Sequence, residues 1–232
     1  MLRSMFKVAA ATAVFGVVHS LLASRPAKRA AARTFGERNR NGLYRVFYLG
    51  QSLVTFGMLA AYIRRQPSRE LYRIEGPLAF LMHAIQAGAL LYATSAAGQV
   101  GLRRITGLES LLAWFGDGPV PPEPEAQGPA LDDEGRSHAI GPFAWSRHPL
   151  NFAPLPILWL WPRMTTSLFA FNTAVTIYLV IGSLHEEARL RQAFGDDYDA
   201  YLNSGVPFYV PALERSGLEL TNAVANLEGV PQ

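Results

Sequence analysis

The sequence predicts an all-α membrane protein: an integral-membrane bundle of about five transmembrane helices, the last two a helical hairpin, followed by a helical C-terminal region in the cytoplasm. Half of the 232 residues are hydrophobic and only 17% are charged, below the quarter usual in soluble domains. Several apolar runs are about 17–21 residues long, which a helix needs to cross ~30 Å of hydrocarbon. Basic residues are concentrated in one loop, which indicates the orientation.

Three apolar runs predict three membrane helices within the N-terminal unit, at residues 8–24, 44–63 and 77–97. The first run follows Arg3 and Lys7 and ends in Ala-Ser, a pattern also found in cleaved signal peptides. We interpret it as a membrane helix because no small-x-small cleavage site leads into a region typical of a secreted protein.

The hairpin is predicted from two apolar runs that a short polar turn separates. Residues 149–161 would cover about 20 Å as a helix, whereas residues 164–184 are long enough to span. The turn between them is expected at Trp161, Pro162 and Arg163. The hairpin opens a unit that we place at residues 149–215.

The loop between the first two spans, residues 25–43, carries six basic residues against a single acid, Glu37. The second loop has four basic residues and two acids, so the first loop is expected in the cytoplasm. Residues 98–148 and the C-terminus then also face the cytoplasm, with the chain in a bacterial inner membrane. The basic residues of the first loop are Arg25, Lys28, Arg29, Arg33, Arg38 and Arg40.

The region 98–148 combines an amphipathic segment with a proline-rich acidic loop. Residues 117–137 contain five prolines and six acids, which favours a flexible linker, with a substrate lid as the alternative. Residues 216–232 are expected to form a peripheral tail. The chain lacks cysteine, which excludes disulfides and thiolate metal sites, and its net charge of +3 does not suggest nucleic-acid binding. Membrane lipid is an expected partner, and the oligomeric state is open.

Arg147 and His148 stand directly before Pro149, at the edge of the short apolar run. Proline favours the first turn of a helix, so a helix should begin at Pro149 with the amides of residues 150–152 unpaired. Such a terminus attracts an anion. The alternative is an interface anchor in which Arg147 extends to lipid headgroups.

Glu186 and Glu187 fall at the membrane boundary, where the hairpin should bring them close to the basic pair before Pro149. The alternative is a surface pair between Glu187 and Arg191, spaced i,i+4 on a helix. A cleft with a guanidinium, an imidazole and carboxylates suits a zwitterionic ligand that contains a nucleoside. Tyr198 and Tyr201 would line it.

Two motifs carry a resemblance. R-H-P-L, then E-E-x-x-L-x-x-x-F-G-x-x-Y-x-x-Y and V-P, resembles the C-terminal signature of the isoprenylcysteine carboxyl methyltransferase superfamily. H-S-L-L-A-S-R at 19–25 and G-L-R at 101–103 are similar to its bacterial methanethiol S-methyltransferase branch. Asn151 stands where the family usually has an aromatic residue. The matching residues are Arg147, His148, Pro149, Glu186, Glu187, Leu190, Phe194, Gly195, Tyr198, Tyr201 and Pro207.

The resemblance implies an enzyme that binds S-adenosylmethionine between the last membrane helices and the cytoplasmic tail. Arg147 would pair with the carboxylate of this cofactor and Glu186 with its ribose hydroxyls or amino group. His148 would bond the cofactor, its own carbonyl freed by the following proline. The expected cofactor-binding residues are Arg147, His148, Pro149, Leu150, Glu186, Glu187, Tyr198, Tyr201 and, beside the flexible loop, His138; no metal is expected.

The implied reaction is methylation of a small thiol such as methanethiol, which gives dimethyl sulfide. The small residues of the first span, Ala9 to Ala11 and Ala13, leave little room for a prenyl chain. His19 in that span is the candidate base, because ionisable groups inside membranes are often functional; a helix-to-helix hydrogen bond is the alternative. The predicted catalytic residues are His19, Arg147 and His148.

Other functions are compatible with the same motifs. The acceptor could be a prenylcysteine or a lipid amine. A haem-dependent membrane isomerase would use His19 and His83 as axial ligands. A non-catalytic adaptor would recruit a partner through the acidic loop.

Overall fold

The structure is a computed structural model that describes residues 1–122, 128–131 and 137–212. The predicted tail at 216–232 lies outside these residues. The elements in chain order are α1 (Leu2–Ala23), α2 (Arg25–Phe35), α3 (Glu37–Arg64), β1 (Glu70–Arg73), α4 (Pro77–Val100), α5 (Leu102–Thr106), α6 (Leu108–Phe115), β2 (Ala130–Leu131), β3 (Ser137–His138), α7 (Pro142–Trp145), α8 (Pro149–Phe152), α9 (Pro154–Trp159), β4 (Arg163–Thr165), α10 (Thr166–Phe194) and α11 (Asp196–Asn203).

Four helices, α1, α3, α4 and α10, are long and apolar enough to cross a membrane. They match the predicted runs at 8–24, 44–63, 77–97 and 164–184 in position. Large apolar side chains such as Leu53 on α3 and Leu91 on α4 are exposed on their outer surfaces. Hydrocarbon rather than water suits such a surface.

The fifth predicted span, residues 149–161, is not a continuous helix. It forms α8 and α9, which meet at Ala153. Pro154 and Pro156 have no amide hydrogen to donate and their rings obstruct the preceding turn, so the helix breaks there. The first arm of the predicted hairpin is therefore two short helices, and a fifth membrane span stays a prediction.

Side chains of two long helices hold α9 in place. The Gln86 amide on α4 donates to the Ile157 carbonyl at 2.9 Å, and the Asn172 amide on α10 donates to the Leu158 carbonyl at 2.7 Å. These carbonyls lie at the end of α9, where no following turn supplies donors. Since hydrocarbon supplies none either, the two amides satisfy groups that would otherwise be costly to bury.

A two-stranded sheet marks one end of the bundle. Strand β1 pairs antiparallel with β4. Glu70 contacts Arg73 of its own strand at 2.8 Å and Arg163 of β4 at 2.6 Å. The sequence was expected to turn at residues 161–163 and pass directly into a helix, so β4 is an element that the expectation missed.

The polar segments gather at the opposite end. Arg25, after α1, donates to Gln192 near the end of α10 at 2.8 Å. Tyr44, near the start of α3, donates to the Leu22 carbonyl at 2.7 Å. The predicted sharing of one side by these segments is therefore found in the fold, while the assignment of that side to the cytoplasm stays a prediction.

The acidic loop has regular structure in part. Residues 130–131 pair with 137–138 as β2 and β3. Gly128 lies so close to Leu190 of α10 that a Cβ on the glycine would come within 2.8 Å of a Leu190 methyl. The loop therefore contacts α10 at Gly128, and its flexibility stays a prediction.

Replacing Asn172 with leucine is expected to lower the free energy of unfolding by about 1–3 kcal/mol, because the buried Leu158 carbonyl then loses its donor. Thr173→Ala is the matched control on the same helix, since among the described residues the Thr173 hydroxyl bonds only the Phe169 carbonyl of its own helix. Thermal unfolding in detergent measures both. Equal shifts for the two variants would contradict a special role of Asn172.

The cysteine-free chain allows the orientation to be tested by single cysteines. Glu75 lies exposed beside β1, and Asn203 lies exposed at the end of α11, near the other end of the bundle. A membrane-impermeant maleimide should label Glu75→Cys in intact cells and Asn203→Cys only after permeabilisation. Labelling of both from the same side would refute the proposed topology.

Candidate functional site

The centre of the site is the Glu187 carboxylate. Its Oε1 lies 2.9 Å from Arg147 Nε and 3.2 Å from His148 Nε2. The side chains of Glu187 and His148 are 12% and 1% exposed, so this contact is largely removed from water. The Arg147 Nε–H does not point at the oxygen and has no hydrogen-bond acceptor within the described ranges, so we treat the contact as an ion pair.

Glu186 lies on the other side of the imidazole. Its Oε2 is 3.4 Å from His148 Nδ1 and 3.3 Å from the Asn151 amide nitrogen. His148 is thus held between two carboxylates. We refer to Arg147, His148, Glu186 and Glu187 as the charged cluster.

The surface pair expected as an alternative for Glu187 does not form. Arg191 instead contacts Asp199 of α11 at 3.2 Å, and both side chains are more than half exposed. Glu187 therefore contacts Arg147 and His148 instead of Arg191. The exposed pair of Arg191 and Asp199 links α10 to α11.

The chain after α11, residues 206–212, packs back over the cluster. The Arg147 amide donates to the Pro207 carbonyl at 2.9 Å. The Phe208 ring lies edge-on to the His148 ring, with centroids 4.8 Å apart. The centroid of the Phe208 ring also lies 5.6 Å from the Arg147 guanidinium carbon. This C-terminal segment forms one wall of the site.

Two buried tyrosines lie beside the cluster. Tyr201 donates to the Phe143 carbonyl at 2.6 Å, whereas the Tyr198 hydroxyl has no hydrogen-bond partner among the described residues. Burial raises the pKa of both tyrosines, and the charges of Glu187 and Glu186 raise that of Tyr198 further. Both phenols therefore remain neutral donors at physiological pH.

The expected free positive end at α8 is wrong. The amides of Asn151 and Phe152 both donate to the His148 carbonyl, at 3.2 and 2.8 Å. Pro149 begins this helix as predicted and is buried, but the His148 carbonyl is bonded rather than free. Leu150 contributes to the same single turn. Attraction of an anion therefore depends on the Arg147 side chain.

His19 belongs to a different cluster, between α1 and α3. Its Nε2 lies 2.5 Å from the Tyr48 hydroxyl and its Nδ1 lies 3.0 Å from Ser52 Oγ. Its ring also stacks on Phe15. The structure therefore does not bring His19 into contact with the charged cluster.

His83 is also apart from the cluster. His83 contacts Gln86 at 2.7 Å and lies against Trp161, towards the end that carries the β1–β4 sheet. His19 lies near the opposite end, so the two rings are not placed as ligands of one haem. The side chain of His138 lies outside the described part of the chain. Over the ranges that are described, no group of three His, Asp or Glu side chains is arranged to hold a metal ion.

Sequence reasoning missed the contacts that three polar residues make in the site: Asn151, Ser183 and Tyr209. Ser183 on α10 contacts the Asn151 amide at 2.8 Å and the Tyr209 hydroxyl at 2.9 Å. The available signals were an amide at a position where the resemblance expects an aromatic ring, and a serine one turn before Glu186 on α10.

Comparison with known proteins gives one partial match. The chain is 36% identical over 70 residues to a methanethiol S-methyltransferase of Pseudomonas deceptionensis. The aligned stretch covers 30% of this chain and 26% of that protein, about a quarter of the relative's length. No protein-family model and no solved structure matches.

Removing the Glu187 carboxylate is expected to destabilise the protein even without ligand. Glu187→Ala leaves Arg147 and His148 buried without their shared partner, which should cost about 3–5 kcal/mol of unfolding free energy. Asp199→Ala breaks an exposed pair and should cost about 0.2–1 kcal/mol. Comparable losses in chemical denaturation would show that the charged cluster is not effectively desolvated.

Proposed function

We propose that this chain is an S-adenosylmethionine-dependent membrane methyltransferase that methylates a small thiol such as methanethiol to dimethyl sulfide. The observation that carries the proposal is the charged cluster at one end of a bundle of membrane-type helices. The partial match to a methanethiol S-methyltransferase supports the reaction class and the acceptor.

The residues present fit this cofactor. Its amino acid part is a zwitterion, and Arg147 and Glu186 offer a guanidinium and a carboxylate on opposite sides of His148. The buried Tyr198 hydroxyl has no partner in the described part of the chain and supplies one further donor. Arg147 would hold the carboxylate, and Glu186 the ammonium or the ribose hydroxyls.

The chemistry asks little of the protein beyond binding and exclusion of water. Bound S-adenosylmethionine supplies a methyl group on a sulfonium, and its transfer to a thiolate forms one S–C bond while another breaks. Charge disappears in this displacement, so the apolar surroundings of the cluster favour it. Phe208, which covers His148, helps to keep water out.

His19 is the base that the sequence suggests, but both of its ring nitrogens are occupied. Ser52 donates its hydrogen to the Tyr48 carbonyl at 2.7 Å, so His19 Nδ1 must donate to Ser52 and Nε2 must accept from Tyr48. We therefore assign His19 a link between α1 and α3. A thiol with a pKa near 8.5 ionises to a few per cent at pH 7, which provides the thiolate without a dedicated base.

Binding of S-adenosylmethionine in detergent is expected to require Arg147 and Glu186. Arg147→Ala and Glu186→Ala should each weaken binding by about 2–5 kcal/mol, because each leaves an opposite charge of the ligand unpaired. Arg191→Ala, which removes an exposed arginine of the same helical region, should leave the affinity unchanged. Calorimetric titration measures all four proteins, and unaltered affinity in the first two variants would place the cofactor elsewhere.

The acceptor is tested by a headspace assay with purified protein, S-adenosylmethionine and methanethiol, in which dimethyl sulfide is expected. Parallel reactions contain a prenylcysteine or a phospholipid amine. If one of these acceptors is methylated while no dimethyl sulfide forms from methanethiol, the small thiol is rejected as the acceptor and the methyltransferase activity is retained.

A further inference from the structure

Ser183 lies at a junction of three hydrogen bonds. It is fully buried on α10, and its Oγ lies 3.0 Å from the Leu179 carbonyl, 2.8 Å from the Asn151 amide nitrogen and 2.9 Å from the Tyr209 hydroxyl. A serine hydroxyl has one hydrogen to donate, and a carbonyl can only accept. The Ser183 hydrogen therefore goes to Leu179, and both Asn151 and Tyr209 donate to the serine oxygen.

The same count of donors and acceptors fixes how the Asn151 side-chain amide is oriented. Its amide nitrogen also lies 3.3 Å from Glu186 Oε2, and a carboxylate accepts hydrogen bonds. Both amide hydrogens are thus used, one on Ser183 and one on Glu186. Glu186 Oε2 thus accepts a hydrogen bond from Asn151 and also lies 3.4 Å from His148 Nδ1.

Tyr209 brings the C-terminal segment into this arrangement. As a donor to Ser183 its phenol must be neutral, and burial raises its pKa, which favours that form. Its ring stacks on Phe208, with centroids 4.6 Å apart, and Phe208 in turn lies against His148. The wall that covers the cluster is therefore linked through the Ser183 oxygen to Asn151, the side chain that donates to Glu186.

We propose that Asn151 and Ser183 are positioning residues for the Glu186 carboxylate, and that Tyr209 fastens the C-terminal segment to them. This rests on the proposed function, because Glu186 is there assigned to the cofactor. The arrangement makes the affinity for S-adenosylmethionine depend on three residues that need not touch it.

The experiment is a double-mutant cycle of Asn151→Leu and Tyr209→Phe, made in the parent and in Ser183→Ala. Thermal unfolding of the ligand-free proteins should show non-additive effects in the parent and additive effects in Ser183→Ala, since the two side chains interact through that oxygen. Thr173→Ala, a hydroxyl deletion elsewhere on α10, is the control for general effects of such changes.

Binding and activity separate positioning from stability. Asn151→Leu should weaken S-adenosylmethionine binding roughly tenfold, about 1.4 kcal/mol, and raise KM for it with kcat preserved. Asn151→Asp has the same size but places a second carboxylate beside Glu186, so its affinity should fall further. A merely structural role of Asn151 predicts that Asn151→Leu lowers stability but leaves the affinity for S-adenosylmethionine unchanged, and this result would overturn the proposal. Additive stability effects of Asn151→Leu and Tyr209→Phe in the parent protein would overturn it as well. A parent protein that does not bind S-adenosylmethionine overturns the proposed function and the positioning role with it, while the stability cycle still tests the hydrogen-bonded chain.

Discussion

The fold depends on satisfying backbone carbonyls in a segment that prolines prevent from being a regular helix. Gln86 and Asn172 reach from α4 and α10 to the carbonyls at the end of α9. Without donors of this kind, irregular backbone at membrane depth would be excluded. The two amides thus fix the short segment between two long helices, and the start of that segment carries Arg147, His148 and Asn151 to the side of α10 that bears the acids.

Burial of four ionisable side chains at one end of the bundle is unusual enough to need an explanation. The Arg147 guanidinium balances the Glu187 carboxylate, and the His148 ring and the Asn151 amide lie against the Glu186 carboxylate, so neither acid is buried without a polar partner. Balance alone does not make the cluster useful for stability, because well-packed apolar residues often do as well as a buried ion pair. Under the proposed function, a polar ligand would pair its own charges with the Arg147 and Glu186 side chains, which gives the charged cluster a role beyond stability.

Much of this arrangement can be predicted from the sequence, because long apolar runs specify α1, α3, α4 and α10 by length alone. The meeting of Arg147 with Glu187 follows from a chain reversal near residue 162. The break at Ala153 and the pairing of β1 with β4 depend on contacts between distant segments, which periodicity does not report. The Asn151–Ser183 hydrogen bond could not be predicted either, since a serine in a membrane helix more often bonds the carbonyl one turn before it. Ser183 bonds that carbonyl, of Leu179, and also accepts from Asn151.

The geometry of α10 also decides what His19 can do. Tyr178 of α10 contacts α1, with its hydroxyl 3.0 Å from Ser20 and its ring beside His19. Ser183 faces Asn151 and lies five positions further along, which at 3.6 residues per turn is a rotation of about 140°. The face towards His19 and the face towards the charged cluster are therefore nearly opposite. A base in α1 would have to act across the body of α10, whereas a small thiol carries its own ionisable proton to whichever face the cofactor occupies. For the methyltransferase proposed above, that asymmetry favours an acceptor acidic enough to ionise unaided over an amine, which near pH 7 needs a base beside it to become a nucleophile.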